Sequence, residues 1–241
     1  PNATDVYIDF LAVLTDSLTA RGLDYVVASQ VQNADVELPV AKSQTEFFDV
    51  RLTDHDVILA RSDIETANPG SGGYQVEVRF EISPGDSILF DRGYTWVDVT
   101  KDEVDFVFLN THFEVSAGGQ LEIVQRAQAN QLIQEFAAEP RLIAVGDFNT
   151  GPGDLPYTTL TGTFTDAWTA WGAGGQGLTC CQPELLTESQ NLYSRIDLIL
   201  YLGNIQVLAA DVVGEETGDK TPGGLWPSDH AGVVATLEIQ E

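Results

Sequence analysis

Residues 5–21, DVYIDFLAVLTDSLTAR, place Val6, Phe10, Val13, Leu14 and Leu18 on one face of a helix, and Gly22 supplies a stop. The apolar run LDYVVAS (23–29) follows as a short strand. VILAR (57–61) and YQVEVRFEI (74–82) predict two more strands, the second with strict alternation of apolar and polar residues, and NPGSGG (68–73) between them predicts a loop. YTWVDVT (94–100) and VDFVFLNTHF (104–113) predict a hairpin whose second strand is apolar enough to be central. A second amphipathic helix is expected over 120–139, ended by Pro140. RLIAVGDF (141–148) then predicts a buried strand and LPYTTLTGTF (155–164) a short helix or turn. RIDLILYL, IQVLAADVV and AGVVATLEI (195–202, 205–213, 231–239) complete the strands. Two helices among eight or nine strands, with no repeat and no linker, point to one α/β or α+β domain spanning 1–241. The irregular stretches 148–194 and 214–229 exceed ordinary connections and are the expected place for function.

Composition narrows the partners more than the fold. Eleven basic residues against 37 acidic ones give a formal charge of −26, with Lys42, Lys101 and Lys220 the only lysines. Such a surface repels nucleic acid and anionic membranes, both of which need Lys and Arg to neutralise phosphates. It suits a small phosphoester or a phospholipid headgroup better than a long duplex. No apolar run approaches the length that spans a bilayer. The acidity and the Thr/Gly-rich loops favour a secreted or extracytoplasmic location. The only cysteines are the adjacent Cys180 and Cys181, a spacing that fits no zinc motif. A vicinal disulfide, two thiols and pairing elsewhere are all open; the oxidised, structural reading is preferred.

Four apolar strands end in residues able to bind a metal or a phosphate. FLNTHF ends near His112, AVGDFN on Asp147 and Asn149, SRIDLIL opens on Asp197, and SDH carries Asp229 and His230. Singly, each has a structural explanation: a satisfied histidine, an Asx turn, an ion pair with Arg195, a cap before the last strand. Together, two of the chain's three histidines, an amide and several carboxylates make a set suited to metal-assisted phosphoester hydrolysis.

The ordered set THF, GDFN, RIDLIL and SDH resembles the endonuclease/exonuclease/phosphatase superfamily, which includes pancreatic deoxyribonuclease, abasic-site endonucleases, inositol polyphosphate phosphatases and neutral sphingomyelinases. The resemblance implies a four-layer α/β/β/α sandwich of two mixed sheets flanked by helices, and Mg²⁺ or Mn²⁺ as cofactor, with Ca²⁺ as a third candidate. It implies that Asp147 orients and helps deprotonate the attacking water, and that Asn149 binds the phosphate and fixes that water. His230 becomes the main acid/base, Asp197 holds its tautomer, and His112 is a second phosphate-side imidazole. Asp229, with Asp147, lies at the metal, and Arg195 is a weaker substrate-binding candidate whose equal alternative is a structural ion pair. Trp168, Trp171 and Trp226 are packing residues or a substrate wall, and His55 has no assigned role.

The chain also departs from that pattern. The family begins with a strand carrying TxN, a helix, and a strand ending in Gln-Glu, whose Glu is its principal metal ligand. Neither stretch is present; VASQVQN (27–33) holds Gln30 and Gln32 without the acid. The chain is therefore read as N-terminally incomplete, with an exposed sheet edge open to pairing with another chain and with weak or no activity alone. Two alternatives stand beside the metal-dependent phosphodiesterase or phosphatase: a secreted nuclease of the same fold, and a non-catalytic binding or assembly module.

Overall fold

A computed structural model describes residues 3–83, 85–115, 118–172, 174–183 and 190–240. Positions 173 and 184–189 of the long 148–194 stretch lie outside the described residues. In chain order the elements are α1 (Phe10–Ala20), β1 (Tyr25–Ala41), β2 (Phe47–Arg61), β3 (Glu65–Gly73), β4 (Val78–Ser83) and β5 (Asp86–Phe90). Next come β6 (Gly93–Lys101), β7 (Val104–His112), α2 (Gln120–Phe136), β8 (Leu142–Asp147), α3 (Leu155–Thr161), β9 (Thr165–Asp166) and α4 (Ala167–Trp171). The chain closes with β10 (Asp197–Leu202), β11 (Ile205–Val213) and β12 (Gly232–Ile239).

The frame is a six-stranded mixed sheet in the order β3-β6-β7-β8-β10-β9. Its one parallel pair, β7 with β8, is joined through α2, as a crossover connection requires. Strand alternation gives this sheet two apolar faces. Leu109, Leu142, Ala144, Leu198 and Leu200 face Ala129, Leu132 and Phe136 of α2 and Leu160 of α3. The intervening Ile143, Val145, Ile199 and Tyr201 face the opposite way, against Ile205, Val207, Leu237 and Ile239 of the β11–β12 hairpin. Val97 and Val99 on that same side pack on Ile58 and Ala28 of the β1–β2 hairpin. The expected α/β/β/α sandwich is thus the architecture observed. Its outer helix, α1, is capped by Asp9, whose Oδ1 accepts from Ala12 N (2.9 Å), and none of its residues is buried.

Several expected elements differ: β2 starts at Phe47 rather than Val57 and β4 at Val78 rather than Tyr74, and two further cases show why. NPGSGG is not a loop but most of strand β3, paired antiparallel with β6. Gly70 and Gly72 stand opposite Trp96 and Tyr94, and a Cβ at either glycine would run into the facing ring. Glycine is what lets these aromatic side chains lie flat across the neighbouring backbone, so a turn-rich composition serves a strand here. The first strand is also longer than LDYVVAS predicts. Ladder pairs such as Leu38↔Val50 and Val40↔Phe48 carry β1 to Ala41, and polar residues between them hid the extension.

The second β layer is divided. β2 pairs only with β1 and β12 only with β11 among the described residues, so each keeps a strand edge without a strand partner. Over β7, β8 and β10, alongside β12, runs a cleft of about 1050 Å³ floored by Phe106, Phe108, Ile143, Val145 and Ile199. It is walled by Val233, Ala235 and Leu237 of β12 and ends at Gly146, Asp147 and Asp197.

Candidate active site

Register brings three of the expected residues to one level. His112 ends β7 beside Asp147 at the end of β8, and Asp147 pairs in turn with Asp197 at the start of β10. Gly146 makes this row possible: it takes φ +140°, and a Cβ there would collide with the Thr111 carbonyl. Phe148, fully buried, anchors the chain as it leaves the strand, while Asn149 follows with φ +48° in the left-handed region.

Each side chain is held by named partners. His230 brings Nδ1 to within 2.9 Å of Asp197 Oδ2, which fixes the ring with Nε2 on the side of the Cys181 sulfur, 3.9 Å away. The bond to Asp197 stabilises the imidazolium and raises the His230 pKa to about 8, against a smaller opposing effect of burial. His112 goes the other way. Burial and the adjacent Arg92 guanidinium lower its pKa to about 4, so it is neutral at physiological pH. Arg92 Nη1 donates to its Nδ1 (3.1 Å), which places the proton on Nε2, facing Asp147 Oδ2 at 3.5 Å. Burial, and then the neighbouring Asp197, raise the Asp147 carboxyl to about 6. Its Oδ1 accepts from Asn149 N (2.8 Å), and Asn149 Nδ2 donates to the Phe113 carbonyl (3.0 Å).

The remaining expected residues sit elsewhere. Arg195 is buried, with Nη1 2.7 Å from Asp166 Oδ2, and Asp166 also takes a bond from Tyr157 (2.6 Å) and caps α4. Its guanidinium is committed to this structural ion pair, the alternative that the sequence left open. Asp229 is exposed and accepts from Ser228 Oγ (3.2 Å); it is outside the carboxylate–imidazole group described below. Trp226 is buried and packs under the Lys220 ammonium, which makes it a packing residue. Trp168 lines a second hollow of about 620 Å³ with Tyr193 and Ser194.

Sequence reasoning missed Arg92, Glu114 and Gln125. Arg92 holds His112 and lies 3.7 Å from the buried Glu114 carboxylate. Gln125 of α2 donates to the main-chain carbonyls of Glu114 (2.6 Å) and Asn149 (2.8 Å), tying the helix to the site loop. The only signal was a buried-face glutamine in an apolar helix stripe.

Asp147, Asp197 and His230 offer one ligand atom each within 4.8 Å of one another. Two close, half-buried carboxylates, with Asp147 raised by burial and then by Asp197, are a donor set that a hard divalent cation relieves. Mg²⁺ needs only one or two protein carboxylates besides water and substrate oxygens, so the residues present fit such an ion.

No curated protein matches the sequence. Solved structures share the fold at low identity. An endonuclease/exonuclease/phosphatase from Bacteroides vulgatus is 17% identical, with a TM-score of 0.57 over 95% of this chain and 89% of its own. A Bacteroides thetaiotaomicron mannosyl-6-phosphatase is 17% identical at TM-score 0.59, covering 94% and 90%. D. rerio TDP2 complexed with a single-strand DNA product is 16% identical at TM-score 0.59, also covering 94% and 90%. The model of the Endonuclease/Exonuclease/phosphatase family matches residues 41–230, and the chain belongs to that family.

Proposed function

We propose that this protein is a divalent-metal-dependent phosphoester hydrolase acting by attack of water on phosphorus. The observation that carries the reading is the row His112–Asp147–Asp197 with His230 bonded to Asp197. Asp147 and Asp197 would hold a Mg²⁺ or Mn²⁺ ion, which would supply charge stabilisation for the phosphoryl oxygens. Asp147 accepts a proton from the attacking water, and Asn149 Oδ1 takes that water's second hydrogen bond, its amide nitrogen being fixed on Phe113. His230, protonated at neutral pH and aligned by Asp197, donates from Nε2 to the leaving oxygen. Neutral His112 donates its Nε2–H to a non-bridging oxygen, with Arg92 setting its tautomer.

The charge of −26 favours a small phosphoester or phospholipid headgroup over long nucleic acid. The Cys180–Cys181 disulfide supports a secreted or extracytoplasmic location. The cleft beside β12 supports the incompleteness read from the sequence. Its floor is apolar and it is edged by β12, which has one strand partner among the described residues; a strand–helix–strand unit placed there would bring a further carboxylate to Asp147. On this reading the 241-residue chain has little turnover by itself.

Hydrolysis of bis-p-nitrophenyl phosphate with Mn²⁺ or Mg²⁺ tests both parts, with His230→Ala as control. Metal-dependent turnover abolished in the variant supports the hydrolase; strong turnover by the bare chain refutes the incompleteness. Parallel assays on sphingomyelin, sugar phosphates and plasmid DNA separate the headgroup reading from a nuclease. Calorimetry that finds no Mn²⁺ binding even at high metal favours a non-catalytic module instead.

A further inference from the structure

The two ring nitrogens of His230 face different donor sets. Nδ1 belongs to Asp197, whereas Nε2 lies 3.9 Å from the Cys181 sulfur, and the sulfurs of Cys180 and Cys181 and that nitrogen all fall within 4.8 Å of one another. We infer that, once the Cys180–Cys181 bond is reduced, the two thiolates and His230 Nε2 form a site for a soft divalent cation such as Zn²⁺.

Geometry supports the assignment. Zn–S bonds of about 2.3 Å and Zn–N bonds of about 2.0 Å in a tetrahedron put sulfur and nitrogen ligands about 3.6 Å apart. The observed 3.9 Å is close to that spacing, and reduction frees the two sulfurs to separate to about 3.8 Å, as a shared tetrahedral cation requires. The ligands are also preplaced by main-chain bonds. Ser194 N donates to the Cys180 carbonyl (2.9 Å), Ala231 N to Thr179 O (2.7 Å) and Gln182 N to Asp229 O (2.6 Å), so residues 179–182 strap the β10 entrance to the loop of His230. The Tyr193 hydroxyl also donates to the Cys181 sulfur (3.5 Å).

The chemistry balances with a dithiol or phosphine as reductant. Two electrons break the S–S bond, two protons are taken up as thiols form, and the cation displaces both protons on binding. Thiolate and imidazole select Zn²⁺ over Mg²⁺ or Mn²⁺, which prefer the carboxylate side of the same ring. In the disulfide the sulfur pair is closed to metal. Resting on the proposed role of His230 as acid, the site also makes the reduced protein sensitive to zinc, because the cation occupies the proton-donating nitrogen.

The test uses the full chain, reduced anaerobically with a phosphine and desalted, and reads Zn²⁺ binding by competition with a chromophoric chelator and Co²⁺ binding by sulfur-to-metal charge-transfer absorption. Expected are one equivalent per reduced chain and none for the oxidised chain at the same metal. Reduced His230→Gln should bind more weakly by at least about 10-fold. Equal binding by oxidised and reduced protein, or undiminished binding by reduced His230→Gln, overturns the site. Reduced Cys181→Ser should lose the site, and binding equal to the reduced wild type overturns it. Should that variant fail to fold, alkylation of the reduced thiols before metal addition replaces it, lost binding upholding the site and undiminished binding refuting it. None of these readouts depends on turnover, so absence of hydrolase activity leaves the outcome intact.

Discussion

Asp147 and His230 respond to pH in opposite senses. The Asp147 carboxyl is raised from 3.8 to about 6 by burial and by Asp197, so the metal-free fold loses stability as pH rises between these values and bears the full cost above about 6. Asp147→Asn keeps an acceptor for Asn149 N and removes the buried charge. The variant should gain about 1–3 kcal/mol at pH 7–8, at roughly 1.4 kcal/mol per pKa unit, and nothing at pH 4, while losing activity. Denaturant titrations at the two pH values check this; a loss of stability at pH 8 would refute it. His230, raised to about 8, stabilises the fold fully below its unfolded value of 6.5 and loses that contribution as pH rises through about 8. In the metal-free protein, His230→Gln should therefore cost about 1 kcal/mol at pH 6 and far less at pH 9, the figure reduced for partial solvent screening. NMR of the ring nitrogens should show His230 titrating near 8 and His112 near 4; matching curves near 6.5 would remove the argument. At this scale the sequence was informative where a side chain ends a strand. His112, Asp147, Asn149, Asp197 and His230 interrupt apolar runs, and that interruption is local. Arg92, which precedes β6, and Gln125, inside α2, act through contacts 20 and 24 residues away, which no local pattern carries.

Among the elements, the central strands were legible because both faces are buried and their apolar runs are unbroken. β3 was not, because its glycines answer to the rings of β6 rather than to any local preference. The same logic makes Gly146 a test of how the row is built. Gly146→Ala forces a Cβ onto the Thr111 carbonyl and must spread β7 from β8. We expect loss of the His112–Asp147 alignment and at least about 100-fold lower hydrolysis where activity is measurable, since an ångström of misplacement has that effect. Leu132→Ala in α2 provides the contrast. Leu132 is fully buried against the sheet, so its truncation should cost about 2–5 kcal/mol of stability with little effect on the chemistry of the folded fraction. If Leu132→Ala cut the activity of folded protein as deeply as Gly146→Ala, local register could not be the controlling feature.

Across the whole molecule, the sandwich follows from a sheet with two apolar faces, but the division of its second layer was hidden. Nothing in the apolar pattern of β2 or β12 says whether the far edge of either strand is paired. The electrostatics of the molecule are legible directly, since 37 acidic and 11 basic residues need no fold to be counted. Such a charge repels itself most when the chain is compact, so screening should stabilise the folded state. The Debye length falls from about 10 Å at 0.1 M salt to about 3 Å at 1 M. The buried pair of Arg195 with Asp166, at 2.7 Å, should lose little, and the exposed pairs Lys42–Glu46, Arg51–Asp35, Arg61–Asp63 and Lys101–Asp102 contribute little at any salt. The melting temperature is therefore expected to rise with NaCl between these concentrations. A neutral osmolyte of matched osmolality serves as control, because salt also strengthens apolar burial. A melting temperature that stays flat or falls, or one that the osmolyte reproduces in full, would mean that net repulsion is not what limits this fold.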